Sequence, residues 1–323
     1  MISAKVLVIG GAGYIGSHVV KALLAESFDV TVYDNLSTGQ RCNLFADAAF
    51  IQGDISDTAK LNETMAQGFD AVVHLAAKKA VGESMENPQL YAENNINGSV
   101  NIFNAMLNNG IRNIVFSSTA AAYGTPQYLP LDEKHPLNPL SFYGFTKTEI
   151  ERVMDWYSRI KDFHYIALRY FNAVGYAADG SIRGKEVNSQ NLLPIVMDVI
   201  SGRREKMKVF GNDYNTPDGT CVRDYVHVED LARAHVAAIK TLLREPQSYI
   251  INLSTGKGTS VLEMIAAVER VTGRKVNYEF APRRAGDPAV IVAGNELAQK
   301  VLGWTPQYTD IDEIVKTTWN LEE

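Results

Sequence analysis

Lys5-Val6-Leu7-Val8-Ile9-Gly10-Gly11-Ala12-Gly13-Tyr14-Ile15-Gly16 is the stretch that decides the fold. Its first five residues form an apolar, β-branched run with no polar alternation, the pattern of a strand covered on both faces in a parallel sheet. Glycines end the strand, and apolar residues at helical spacing follow through 15–25. A second strand, Asp29-Val30-Thr31-Val32-Tyr33, completes a β-α-β unit within the first 34 residues. The glycines match G-x-G-x-x-G from Gly11 and G-x-x-G-x-x-G from Gly10, both ending at Gly16. Between a buried strand and a helix start, such a turn aims free backbone N–H groups and the positive helix end at a pyrophosphate. Asp34 ends the second strand, where a carboxylate accepts both hydroxyls of an adenine ribose and repels a 2′-phosphate, so NAD is expected rather than NADP. Asp54, after the third strand, is a further candidate for the adenine edge.

Working outward, strands are expected at 49–52, 71–75, 111–117 and 165–170, with helices at 99–109 and 142–160 between them. This is the rhythm of a doubly wound parallel α/β sheet of Rossmann type. After Phe171 the pattern loosens into Gly-, Asn- and Asp-rich loops with helices at 191–201, 228–243 and 261–271. The expected division is a dinucleotide-binding domain over 1–170 and a smaller mixed α/β substrate lobe over 171–323, with 226–243 free to return to the first domain. The 323 residues suit one large or two intimate domains. A net charge of -6 offers no broad attraction to nucleic acid or anionic lipid, so anions must be met locally. Cys42 and Cys221 lack a C-x-x-C partner and the six histidines lack metal-ligand spacing, so neither a disulfide scaffold nor a metal site is expected. No run approaches the ~18 apolar residues of a membrane span, and a cytoplasmic location is expected.

Tyr143-Gly144-Phe145-Thr146-Lys147 begins the helix announced by Pro139 and Ser141, so Tyr143 and Lys147 share one face. A tyrosine titrates near ~10; a neighbouring ammonium and a positive nicotinamide ring would bring it down towards a usable base. Upstream, Ile114-Val115-Phe116 runs into Ser117-Ser118-Thr119, hydroxyls at the carboxyl end of a strand, where open α/β sheets bind ligands. Thr119 is positioned to relay the proton.

Several further motifs join these: Asp34-Asn35-Leu36, Lys79-Ala80-Val81-Gly82-Glu83-Ser84, Asn94-Asn95-Ile96-Asn97-Gly98, Arg169-Tyr170-Phe171-Asn172, Asn191-Leu192-Leu193-Pro194, Phe210-Gly211-Asn212-Asp213-Tyr214, Val222-Arg223-Asp224-Tyr225 and Arg283-Arg284-Ala285-Gly286-Asp287. Together they resemble the extended short-chain dehydrogenase/reductase superfamily, and within it the UDP-glucose 4-epimerases, over essentially the whole chain. The resemblance implies transient oxidation at sugar carbon 4, rotation of the 4-keto sugar, and hydride return, interconverting UDP-glucose and UDP-galactose. It implies Tyr143 as base, Lys147 holding the nicotinamide ribose and Thr119 as the hydroxyl partner. Gly10, Gly13, Tyr14, Ile15, Gly16, Asp34, Asn35, Asp54, Ile55, Lys79, Asn94, Ser117 and Tyr170, with Tyr143 and Lys147, are the implied NAD contacts. Thr119, Tyr143, Asn172, Asn191, Leu192, Phe210, Arg223, Arg284, Asp287 and Ile291 are the implied substrate contacts. Arg223 paired with Asp224, and Arg284 with Asp287, as surface ion pairs is the competing reading of those charges. Ala120-Ala121 stand where dehydratase relatives carry Asp-Glu. The family implies a homodimer through the helices expected at 99–109 and 149–160. Ile291 stands where a bulky Tyr would exclude an N-acetyl group, leaving N-acetylated UDP-sugars, UDP-pentoses or uronates as the alternative substrates.

Overall fold

A computed structural model describes residues 3–186, 189–284 and 286–322. The first half reads β1 (Lys5–Ile9), α1 (Tyr14–Ala25), β2 (Asp29–Asp34), β3 (Ala49–Gln52), α2 (Thr58–Met65), β4 (Ala71–His74), α3 (Val81–Glu86), α4 (Pro88–Tyr91), α5 (Gly98–Asn108), β5 (Asn113–Thr119), α6 (Phe142–Ile160) and β6 (His164–Tyr170). The remainder adds β7 (Asn172–Val174), α7 (Leu192–Ile200), β8 (Met207–Phe210), β9 (Val222–His227), α8 (Val228–Arg244), β10 (Tyr249–Leu253), β11 (Gly258–Ser260), α9 (Val261–Thr272), β12 (Tyr278–Ala281), β13 (Val290–Ile291), α10 (Glu296–Leu302) and α11 (Ile311–Trp319). A π-helical segment, Ala92–Asn97, leads into α5.

Seven strands make one sheet in the order β10-β6-β5-β4-β1-β2-β3, every neighbouring pair parallel. Residues of β1 alternate between its faces: Val6 and Val8 join the core formed with Val19, Val20, Leu23, Leu231 and Ile239 of α1 and α8. Leu7 and Ile9 join that formed with Leu61, Ile102, Phe103, Ile150 and Met154 of α2, α5 and α6. Such a sandwich explains the unbroken apolar strands, each buried Val, Leu or Phe contributing about 1.5–3 kcal/mol. The strand order reverses between β1 and β4, which opens the ligand crevice of a doubly wound sheet at their carboxyl ends.

The chain crosses residue 170 more than once. β10 closes the sheet against β6, and α8 packs on α1 within the same core, so α8 and β10 belong to the first layer. The second lobe has its own core of Leu193, Val196, Met197, Val209, Met264, Val268 and Ile314, over short strands centred on β9. Among the described residues no helix is long and apolar enough to cross a membrane, and no group of His, Cys, Asp and Glu is arranged to hold a metal. Cys42 and Cys221 are both free thiols.

Candidate active site

The glycine turn is built as the sequence requires. A Cβ on Gly16 would lie 2.1 Å from the Gly10 carbonyl oxygen, so α1 seats against the end of β1 only because residue 16 has no side chain. No side chain caps the start of α1 and no acidic residue lies in its first turn, which leaves the positive helix end free for an anion. Tyr14 in that turn donates its hydroxyl to the Gly175 carbonyl at 2.5 Å, tying the turn to the second lobe. Asp34 is buried at the tip of β2, its carboxylate accepting the Ala12 N–H at 3.0 Å and the Leu36 N–H at 2.8 Å. Asp54 lies alongside, taking the Asn35 amide at 2.6 Å and both donors of Ser56. Burial opposes its charge, but those bonds outweigh it and hold the carboxyl below the usual range. Ile55 is buried next to Asp54.

A strap from the second lobe crosses this turn. Asn43 accepts the Gly184 N–H at 2.9 Å and donates to the Ala12 carbonyl at 3.2 Å, while Gln40 donates to the Lys185 carbonyl. Lys79 pairs with Glu186 from the same strap. Asn94 bonds Asn95, whose side chain in turn holds Lys78 through both its N–H and its carbonyl, each at 2.9 Å, and reaches Thr146 at 3.2 Å.

At the carboxyl end of β5 the hydroxyl and phenol meet. Ser141 caps α6 by accepting the Gly144 N–H at 3.1 Å, and a Cβ on Gly144 would lie 2.6 Å from the Ala121 carbonyl, so α6 starts in close contact with the turn after β5. This approach sets the Tyr143 phenol beside the Thr119 hydroxyl. Lys147, one turn on and 2% exposed, donates to the Ser117 carbonyl at 2.7 Å with its Nζ 4.6 Å from the centre of the Phe116 ring. The Ser117 hydroxyl meets that of Tyr170. Burial pushes the Tyr143 phenol up to about 12, with the Thr119 hydroxyl working the other way, and pushes Lys147 down to about 7. Around the phenol, desolvation outweighs the neighbouring hydroxyl in setting the direction of the shift.

On the second lobe, Arg284 lies over the Phe210 ring at 4.0 Å, and Arg223 pairs with Asp287. Asp224 does not pair with Arg223; it is buried and accepts Ser254 at 2.6 Å and Thr255 at 2.8 and 2.9 Å. Nor does Arg284 pair with Asp287, so the two ion pairs of the competing reading are exchanged for Arg223–Asp287 alone. Asn172 donates to the Asp224 carbonyl at 3.0 Å. Asn191 precedes α7, which Leu192 opens, and reaches Glu186 of the strap. Ile291 pairs with Arg223 in register and packs on the cluster of Tyr123, Leu131 and Ala293, as do Ala120 and Phe171. His227 caps α8 by accepting the Glu229 N–H at 3.2 Å, a turn role.

The sequence profile of the NAD dependent epimerase/dehydratase family matches residues 6–254. UDP-glucose 4-epimerase of Lacticaseibacillus casei is 45% identical over 319 residues, 98% of this chain and 96% of that protein. The chain belongs to the UDP-glucose 4-epimerase family. Among solved structures of that family, the Brucella ovis enzyme in complex with NAD superposes with a TM-score of 0.95 at 43% identity, covering 98% of this chain and 97% of the other. The Stenotrophomonas maltophila enzyme with bound NAD and formylated UDP-arabinopyranose does so with a TM-score of 0.95 at 39% identity, covering 99% and 98%.

Some residues that support this constellation were not singled out from the sequence. Ser84 accepts the Tyr143 backbone N–H at 3.1 Å, and Asn95 anchors the loop before Lys79. Both lie in quoted motifs, and being buried polar residues beside recognised ones is the signal that points to them. Glu151 and Arg169, buried beneath Lys147, form an ion pair at 2.5 Å. Glu151 at four residues beyond Lys147 is a sequence signal for its face of the helix, but nothing in the sequence joins it to Arg169.

Proposed function

We propose that this chain is an NAD-dependent isomerase that interconverts UDP-glucose and UDP-galactose by inversion at sugar carbon 4. The observation that carries the reading is the Tyr143 phenol beside Thr119, with buried Lys147 one turn further along α6, next to a crevice framed by a close-packed glycine turn. The uncapped start of α1, the Gly10–Gly16 contact and buried Asp34 fit a dinucleotide: Gly10, Gly13, Tyr14, Ile15 and Gly16 would hold its pyrophosphate with Lys79, and Asp34, Asn35, Asp54 and Ile55 its adenosine. Asn94, Ser117, Lys147 and Tyr170 would hold its nicotinamide half. When bound, NAD supplies hydride acceptance and return at carbon 4.

Tyr143 takes the 4-hydroxyl proton, directly or through Thr119, and returns it once the sugar has turned. A phenol held up by burial needs positive charge nearby to do this, which Lys147 supplies. Arg223 and Arg284 meet the diphosphate, Phe210 packs on uracil, and Asp287 accepts ribose hydroxyls, with Asn172, Asn191 and Leu192 completing the grip. A firm hold on the nucleotide with a loose hold on the sugar allows the 4-keto sugar to present its other face. A second reading adds other UDP-sugars: Ile291, packed on the same cluster as Ala120 and Phe171, is smaller than a tyrosine, and the relative from Stenotrophomonas maltophila was solved with a UDP-pentose derivative. Phe145, Trp156 and Ile160 leave apolar surface exposed on α6, which supports a homodimer formed through α5 and α6.

Purified protein incubated with UDP-galactose and no added NAD tests the activity: chromatography is expected to find UDP-glucose. Absence of product after NAD is supplied would overturn the reading.

A further inference from the structure

Tyr143, Lys147 and Glu151 follow one another at four-residue intervals on one face of α6, and each addresses the end of β5. Tyr143 lies beside Thr119, Lys147 donates to the Ser117 carbonyl, and the Ser118 hydroxyl donates to Glu151 at 2.5 Å. The mechanism above uses the first two rungs and leaves the third unexplained. Glu151 is 3% exposed and also takes Arg169 Nε at 2.9 Å and Nη2 at 2.5 Å. Arg169 donates onward to the Tyr123 hydroxyl at 3.1 Å, which donates to Asn252 of β10 at 2.6 Å. The network thus joins α6 to β5, β6 and β10 directly beneath Lys147.

A buried ion pair contributes little stability compared with an apolar pair of the same shape. Its location on the catalytic face of α6 points to another use. We propose that Glu151, paired with Arg169, is a positioning residue for the epimerisation: it fixes the α6–β5 seam and keeps Lys147 an ammonium beside Tyr143. The inference rests on the activity proposed above.

Burial drives Lys147 towards the neutral amine, and the Glu151 carboxylate works against it. The other groups around the lysine do not share that task. From β4, His74 is held neutral by burial, down to about 3; from β5 come the Phe116 ring and the Ser117 carbonyl. From β6 come Arg169 and the phenols of Tyr165 and Tyr170, and from the turn after β5 the phenol of Tyr123. Burial pushes all three phenols up, Tyr123 and Tyr165 to about 12. Of these groups, with Tyr143 on α6 itself, Glu151 is the one that works to keep the lysine charged.

The test is the pH profile of kcat for the wild type, Glu151→Gln, Glu151→Asp and the double variant Glu151→Gln/Arg169→Gln, each checked for bound NAD and a cooperative melt. The double variant leaves no buried charge unpaired and covers the case in which Glu151→Gln alone does not fold. In Glu151→Gln, Lys147 loses its proton at lower pH, so the alkaline limb moves by about 1 pH unit to lower pH, a tenfold loss above the limb that shrinks as pH falls; in the double variant, which also removes the Arg169 cation, the limb moves the same way by less. Glu151→Asp, which keeps the charge, is expected to keep the limb. An unmoved limb with a loss uniform in pH overturns the proposal, as does failure of both Gln variants to fold with NAD bound, which would assign the pair to stability alone. A wild type that turns over no UDP-galactose at any pH removes the functional reading itself, and the proposal with it.

Discussion

The α6–β5 seam and the rim of the second lobe that carries Arg223 and Asp287 are built by opposite means. In the seam, Lys147, Glu151 and Arg169 are 2–3% exposed and every polar group is tied to another across three secondary-structure elements. On the rim, the side chains of Arg223 and Asp287 are 14% and 26% exposed, and the neighbouring Arg283–Asp213 pair is 46% and 68% exposed. A proton transfer needs a donor and acceptor fixed to within a fraction of an ångström in a dry site, whereas a diphosphate can be met by long, adaptable cations. On the proposed function, chemistry and grip fall in these separate regions, which suits a sugar that must turn over between two half-reactions.

The sharpest way to break the contrast is to remove the phenol. Tyr143→Phe is expected to lower kcat by about 10³-fold while NAD content and melting temperature stay near wild type, since it deletes a reacting proton site but no apolar packing. Retained turnover would move the base elsewhere. On the rim the effect should be smaller and of another kind: Arg223→Ala should raise the KM for UDP-galactose about 10–100-fold with kcat reduced less, as expected when a charge-assisted contact worth about 1.5–3 kcal/mol is removed. A drop confined to kcat would mean that Arg223 serves the chemistry.

A gentler probe uses pH. Burial holds His18 and His235 down to about 4, and His74 and His227 down to about 3, so all four fold as neutral rings. Their folded values lie below the unfolded value of ~6.5, so the unfolded chain binds more protons between the two, and stability rises with pH across that window. Thermal melts should therefore weaken progressively from pH 7 to pH 4.5, at up to about 2 kcal/mol per histidine by pH 5. A melt flat across that range would mean the rings are solvated on heating or paired in ways the geometry lacks.

What could be read in the sequence was what is local. The glycine turn, Asp34 at the tip of β2 and the four-residue spacing of Tyr143 and Lys147 are set by strand and helix periodicity, and they lie where the fold needs them. The 142–160 helix coincides with α6, and the 49–52 strand with β3. Contacts made by the return of a distant segment could not be read: β10 completes the sheet from residue 249 onward, and Glu186 reaches Lys79 across more than a hundred residues. The same holds for Glu151 with Arg169, and for the exchange of partners that gives Asp287 to Arg223 and Asp224 to Ser254 and Thr255. The desolvation of the phenol was out of reach for a related reason, because it depends on everything packed around Tyr143 and spacing reports only the neighbour on its own helix.

The claim that chemistry and grip reside in separate regions is tested most directly by the affinity of Tyr143→Phe for UDP, measured by isothermal titration beside the wild type. An unchanged dissociation constant, in a variant that has lost about 10³-fold in turnover, is the predicted result. A loss of UDP affinity parallel to the loss of turnover would contradict the account, because the seam would then hold the nucleotide as well as carry out the reaction.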